Sequence, residues 1–222
     1  MRKDAARFAS EALGTAGLLA VVIGSGIMGE RLASGNVAIA LLANSLATAG
    51  GLYALILAFA PLSGAHFNPL VTLAAALARE IPWRHFVPYA VAQLSGAVAG
   101  TWLAHAMFGL PLLQVSTRDR SGAPLLLAEV VATFGLILCI RLVSRSAPSA
   151  VAGAVAAYIG AAYWFTASTS FANPAVTIAR AVSDTFAGIA PGDVLPFIAA
   201  QLVGAIAALG VCRWLQSTGR ES

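Results

Sequence analysis

Charge is scarce in this sequence. Of 222 residues, 10% are Asp, Glu, Lys or Arg, 59% are hydrophobic, and the mean hydropathy is +0.84. So few polar groups do not cover a soluble globule, and the composition is that of an integral membrane protein. No polar stretch is long enough to fold as a separate soluble unit, which predicts one domain over residues 1–222. Cysteine is scarce too: Cys139 and Cys212 lie inside apolar segments, are too few for a disulfide framework, and read as buried thiols. There is no nucleophile–base–orienter set, no phosphate-binding glycine loop and no cluster of metal ligands. No catalytic residue, metal site or cofactor is therefore expected, and the chain reads as a non-enzyme. The net charge of +4 and pI near 9.6 do not point to nucleic acid, because the basic residues are scattered at segment ends. Membrane topology explains them better, and membrane lipid is the expected partner of the chain as a whole. The first apolar run, Phe8–Met28, is long enough to span and no polar domain follows it, so it is not read as a secretory signal.

What the chain does have is long apolar runs. A hydrocarbon core of about 30 Å takes roughly 20 apolar residues per helix. Six stretches approach that length: Phe8–Met28, Val37–Phe59, His85–Phe108, Leu125–Val143, Ala150–Thr166 and Val194–Leu215. Two shorter ones, Asn68–Ala78 and Asn173–Ser183, reach only about half way across at about 1.5 Å per residue. The two halves, about 8–108 and 125–215, resemble each other. "EALGTAGLLAVV" from Glu11 matches "EVVATFGLILCI" from Glu129, and "PYAVAQLSGAVAG" from Pro88 matches "PFIAAQLVGAIAA" from Pro196. With three spans in each half, the second enters from the opposite side, so the repeat is inverted. If both termini are cytoplasmic, nine basic residues lie inside against four outside (Arg31, Arg118, Arg120 and Arg180), which sets that orientation.

The short segments open on "HFNPLV" at His66–Val71 and "FANPAV" at Phe171–Val176. Asparagine is a strong N-cap and proline suits the first helical position, so each Asn-Pro starts a helix. Inside a bilayer, a non-helical stretch leading into a half-length helix is tolerated only where it is buried in protein or lines a water-filled cavity. Two such half-helices, related by the inverted repeat, meet near the midplane with Asn68 and Asn173 side by side. Their amides are expected to donate to a passing solute, and their positive ends disfavour cations. The pattern describes a pore for neutral, hydrogen-bonding solutes.

These residues resemble the aquaporin family (major intrinsic proteins) over nearly the whole chain. They are "SGAHFNPLVT" at Ser63–Thr72, "NPAVT" at Asn173–Thr177, Glu11 and Glu129, and Gln93 and Gln201. The resemblance implies an all-α membrane protein of six tilted helices plus two re-entrant half-helices, a homotetramer with one pore per subunit, and passive flow of water or small neutral solutes. It implies paired motifs at Asn68, Pro69, Leu70 and Asn173, Pro174, Ala175. Leu70 replaces the usual Ala and is expected to add bulk where the half-helices pack. In place of the family's usual selectivity-filter Arg stands Val176. Counted without gaps from the two Asn residues, the other filter positions fall on Thr48, Ala161 and Ser170. Such a ring, lacking both the Arg fork and aromatic volume, is expected to be wide, uncharged and partly apolar. Arg180, about one turn beyond Val176, is expected to anchor the following loop; the alternative is that it restores the missing charge.

Glu11 and Glu129 are intramembrane carboxylates, whose default reading is functional. Their symmetric duplication favours a scaffold role, accepting backbone N–H groups of the loops before Asn68 and Asn173. His66 reads as pore-lining or loop-bracing, and His85 and His105 as interfacial. Gly14, Gly17, Gly96, Gly100 and Gly204 are expected to allow close helix contact. The function expected is a passive channel for glycerol, urea or metalloid acids such as arsenite, together with water. A water-selective channel is the alternative, and a secondary transporter with a midplane ion site the reading from another class. Short loops and a basic inner face suggest a bacterial inner (plasma) membrane.

Overall fold

The computed structural model describes residues 2–218. Among the described residues the chain forms eight α-helices and two single turns of 3₁₀ helix, with no strand. In chain order the helices are α1 (Arg2–Leu32), α2 (Val37–Ser63), α3 (Pro69–Leu77), α4 (Phe86–Met107), α5 (Ala123–Ser146), α6 (Val151–Phe165), α7 (Pro174–Arg180) and α8 (Pro191–Thr218). Local chemistry sets the key boundaries. Asn36 caps α2 by accepting from the backbone N–H groups of Ala38 and Ile39, and Gly64 ends it at φ 93°. Asn68 caps α3 by accepting from Leu70 N, and Asn173 caps α7 by accepting from Ala175 N and Val176 N, each with proline at the next position.

The helices overrun most of the predicted spans, because apolar content marks only the part at hydrocarbon depth; Leu125–Val143, for example, lies within Ala123–Ser146. Among the described residues, five helical segments are long and apolar enough to cross a membrane. The 22-residue α4 has the length, but its interior carries the buried polar residues Gln93, Thr101 and His105. α7 stops at Arg180, short of the predicted Ser183. There the chain folds back so that Ile189 N donates to the Arg180 carbonyl and Ser183 Oγ meets Nε2 of His105 at 2.9 Å. His105 and His85 are therefore buried rather than interfacial, His105 completely. Cys212 is buried as expected, but Cys139 is half-buried. Arg220, counted among the basic residues above, lies outside the described residues.

Within each half, one pair of long helices packs tightly: α1 on α4, and α5 on α8. Glycine makes this approach feasible. A Cβ on Gly96 would lie 2.1 Å from the Ala12 carbonyl oxygen, one on Gly100 2.1 Å from that of Ala16, and one on Gly204 2.3 Å from that of Val130. Gly14 and Gly17 differ in kind, since their Cβ atoms would meet the side chains of Phe67 and Leu55. α2 on α6 joins the halves, and each half-helix touches a long helix of the other half, α3 on α8 and α7 on α4. Leu13, Leu46, Val91, Leu103, Val203 and Ile206 point outward, giving the apolar exterior that lipid requires.

Candidate functional site

Before each half-helix runs a short non-helical stretch with the same backbone twist. Ala65 and Phe67 take φ of 50° and 49°, and Ser170 and Ala172 take 53° and 47°. These residues stand three and one positions before Asn68 and Asn173. L-residues in this region cost of order 1–3 kcal/mol each and persist only where the surroundings hold them. The two carboxylates do so. Oε1 of Glu11 accepts from Ser63 Oγ (2.6 Å) and His66 N (3.0 Å), and its Oε2 accepts from Phe67 N and Gln93 Nε2 (both 2.8 Å). Glu129 repeats the arrangement, accepting from Phe171 N and Ala172 N (both 2.9 Å) and Gln201 Nε2 (2.6 Å). Gln93 and Gln201 each also donate to a threonine at 2.9 Å, Thr72 and Thr177 respectively. Sequence reasoning gave these threonines no role, although both copies carry one four residues after the asparagine.

The half-helices meet N-terminus to N-terminus and tie each other's loops. Asn68 Nδ2 donates to the Ala172 carbonyl and Asn173 Nδ2 to the Phe67 carbonyl, both at 2.8 Å. The expectation that both amides are free is thus half right: an amide –NH2 has two donors, and one of each is committed. Leu70 does not crowd the junction. It turns away from it into a cluster with Ala74, Ile137, Ala205 and Ala208. Pro69 is half-buried at the start of α3, while Pro174 and Ala175 are buried at the start of α7.

A cavity of about 250 Å³ runs past both asparagines. At one end it is lined by Thr48, Tyr163, Ser170, Val176 and Arg180, and at the other by Glu80, Arg141 and Ser144. Between them one wall is apolar, with Leu52 and Ile56 from α2, Leu136 and Ile140 from α5, and Val155 and Ile159 from α6. Three of the four expected filter positions, Thr48, Ser170 and Val176, line this cavity; Ala161 does not and is exposed on the outside of α6. At about 100° per residue, the helix face that presents Ile159 and Tyr163 turns Ala161 away. Counting without gaps fails here because it assumes a fixed loop between α6 and Asn173. The aromatic-free ring is corrected accordingly: Tyr163 lines the same end, its hydroxyl 3.2 Å from Thr48 Oγ1.

The hydroxyl of Ser170 is buried without a protein partner. Arg180 is also buried; its Nε donates to the Ala187 carbonyl and its guanidinium lies over the Phe171 ring, 3.4 Å from the centroid. The carbonyl contact fits loop anchoring, and the side chain lines the cavity as well. Arg120 approaches the same ring at 4.9 Å and donates to the Gly188 and Ser168 carbonyls. Burial, reinforced by the neighbouring Arg118 charge, pushes the Arg120 guanidinium down to about 10, which leaves it cationic at neutral pH. His66 lines the cavity, its Nδ1 is 3.1 Å from Thr72 Oγ1, and its ring lies 5.3 Å from that of Tyr89.

The sequence profile described as Major intrinsic protein matches residues 2–169. The chain is 50% identical over 214 residues, 96% of its own length and 91% of the relative's, to a protein named Aquaglyceroporin AqpS from Rhizobium meliloti (strain 1021). It is 30% identical over 239 residues, 95% of its length and 97% of the relative's, to a protein named Probable aquaporin AqpM from Archaeoglobus fulgidus. Among solved structures it resembles the aquaglyceroporin from Plasmodium falciparum, with a TM-score of 0.68 at 22% identity over 93% of this chain and 94% of that one. At that identity the likeness concerns the fold.

Proposed function

The chain belongs to the major intrinsic protein family, whose members are passive membrane channels for water and small solutes and not enzymes, and we propose that this one carries small neutral, hydrogen-bonding solutes along with water. Glycerol, urea and metalloid acids such as arsenite, a neutral trihydroxy acid near neutral pH, are the candidates. The observation that carries the reading is the pairing within the cavity of an apolar wall with spaced hydrogen-bonding groups. Val176 presents methyl groups directly after Asn173-Pro174-Ala175, while Ser170 Oγ and the second N–H of each asparagine remain unclaimed by protein. A polyol or trihydroxy acid has both an apolar face or edge and several hydroxyls, and suits such a wall. Arg180 and Arg120 supply positive charge at that end, which opposes cations although position 176 is uncharged.

A second reading, water selectivity, draws on one observation: Tyr163 and Thr48 approach to 3.2 Å at the Arg180 end and take up volume there. Stopped-flow light scattering on proteoliposomes under water, glycerol and arsenite gradients separates the two, with wild type compared against Val176→Arg. The proposal expects wild type to pass the larger solutes and the variant to lose them while keeping water. Conduction of water alone by wild type, unchanged in the variant, would refute it in favour of the second reading. We take residues 1–222 as one channel unit with repeats 8–108 and 125–215, assembled as a homotetramer in a bacterial inner membrane with both termini cytoplasmic. The excess of arginine and lysine toward the Glu80 end supports that orientation.

A further inference from the structure

A second cleft, of about 200 Å³, opens at the Glu80 end between the last turns of α5 and α8 and the C-terminal end of α3. Arg141 and Arg145 reach it from α5 and Cys212, Arg213 and Gln216 from α8. Arg141 and Arg145 stand four residues apart, and Cys212 and Arg213 stand four and three before Gln216, which puts each set on a single helix face. Basic residues near helix C-termini have an ordinary explanation in the negative end of the helix dipole. That explanation covers each charge singly but not the convergence of Arg141, Arg145 and Arg213 from two helices on one cleft. Among the described residues, neither Arg145 nor Arg213 makes a hydrogen bond or ion pair, and Arg141 makes one, to Glu80. Among the described residues, three guanidinium forks, each with five donors, therefore line one cleft with a single carboxylate paired to one of them, and that carboxylate lines the pore cavity. Like charges that line one cleft repel one another, and an oxyanion that accepts from several forks at once offsets the repulsion.

We propose that this cleft binds a phosphate oxyanion, held by Arg145 and Arg213 with Arg141 behind them. Leu142, Trp214 and Leu215 are exposed beside it, an apolar and interfacial surface on which acyl chains can lie. Basic pockets between membrane helices suit anionic lipid headgroups. A phosphatidyl headgroup and free phosphate share the chemistry, and the experiment distinguishes them. Purified protein in neutral detergent is titrated with short-chain phosphatidylglycerol, with short-chain phosphatidylcholine and with inorganic phosphate while thermal unfolding is followed. The same titrations are run on Arg145→Gln/Arg213→Gln, which leaves the Arg141–Glu80 pair intact.

Phosphatidylglycerol is expected to raise Tm saturably and more than phosphatidylcholine, and the double variant to weaken its apparent affinity about tenfold or more. If inorganic phosphate reproduces or competes with the effect, the headgroup alone is recognised; if it does neither while phosphatidylglycerol stabilises, the ligand is the lipid. Equal stabilisation by the two lipids with no effect of phosphate overturns the proposal, as does a preference that survives undiminished in the double variant. Counting bound phosphatidylglycerol by native mass spectrometry on Arg213→Gln alone gives the same decision if the double variant does not accumulate. Retention of the wild-type number of tightly bound lipids then overturns the site.

Discussion

Replacing Glu129 by glutamine tests whether a buried carboxylate holds the second pore loop. Its Oε2 accepts from Ala172 N and Gln201 Nε2, and its Oε1 accepts from Phe171 N. A glutamine placed with its oxygen at the Oε2 position keeps two acceptor contacts and sets an –NH2 against the N–H of Phe171. That leaves one buried backbone donor unpaired, at about 1–3 kcal/mol, and weakens the remaining bonds by removing their charge. The expected cost is about 2–4 kcal/mol. Glu129→Ala strands all three donors, and its cost of up to about 3–9 kcal/mol rivals the stability of a whole domain. Stability is read from reversible unfolding in mixed micelles, and glycerol and water flux from stopped flow at matched protein density. The loop carries Ser170 and Asn173 into the cavity, so flux through the glutamine variant should fall by more than its folded fraction accounts for. A glutamine variant within about 0.5 kcal/mol of wild type, with normal flux, would refute the scaffold role and reopen that of a proton-carrying group.

Gly96→Ala drives a Cβ into the Ala12 carbonyl oxygen at 2.1 Å, so α1 and α4 must separate; a loss of about 1–3 kcal/mol or more is expected in the same unfolding assay. Tyr163→Ala should raise glycerol flux relative to water, whereas Ala161→Phe should leave both unchanged; the reverse pattern would restore Ala161 to the ring. Asp184 accepts from Thr117 N and Oγ1, and these bonds, the backbone one first, hold its carboxyl below the usual carboxylate range. A depressed folded value adds stability above the unfolded value and loses it as pH falls through the folded one. The protection of Thr117 N against hydrogen exchange, relative to an unstructured amide at the same pH, should therefore hold from pH 7 to 5 and fall only below about 4.

The repeat, the Asn-Pro helix starts and the paired glutamates were legible because each is a local signal duplicated at matching positions. Glu11 and Glu129 accept from the loops as the duplication predicts. The lining of the cavity's Arg180 end was legible only in part. Counting reaches Thr48, Ser170 and Val176, which line it, but gives Ala161 where α6 presents Tyr163, since two residues reverse the direction of a helical side chain. Composition placed His105 at an interface because it lies near a helix end. Its burial depends on Ser183, 78 residues away in a fold-back that no periodicity announces. The commitment of one N–H on each asparagine was equally hidden, since the acceptors are carbonyls of the opposite loop.

Those reciprocal bonds bear on how the molecule is made. Asn68 Nδ2 and the Phe67 carbonyl find their partners 104 and 106 residues further along the chain. At a synthesis rate of about 5–20 residues per second, the first half waits roughly 5–20 s before the second loop has been translated. During that interval the partner that holds the first loop through His66 and Phe67, Glu11, is already available within the same half, while the tip of the re-entrant segment has nothing from the second half to rest on. An inserted amino-terminal half is therefore a biogenesis intermediate with an unlatched loop inside the bilayer. The nascent chain depends on translocon and lipid tolerating that loop until the carboxy-terminal half arrives to latch it.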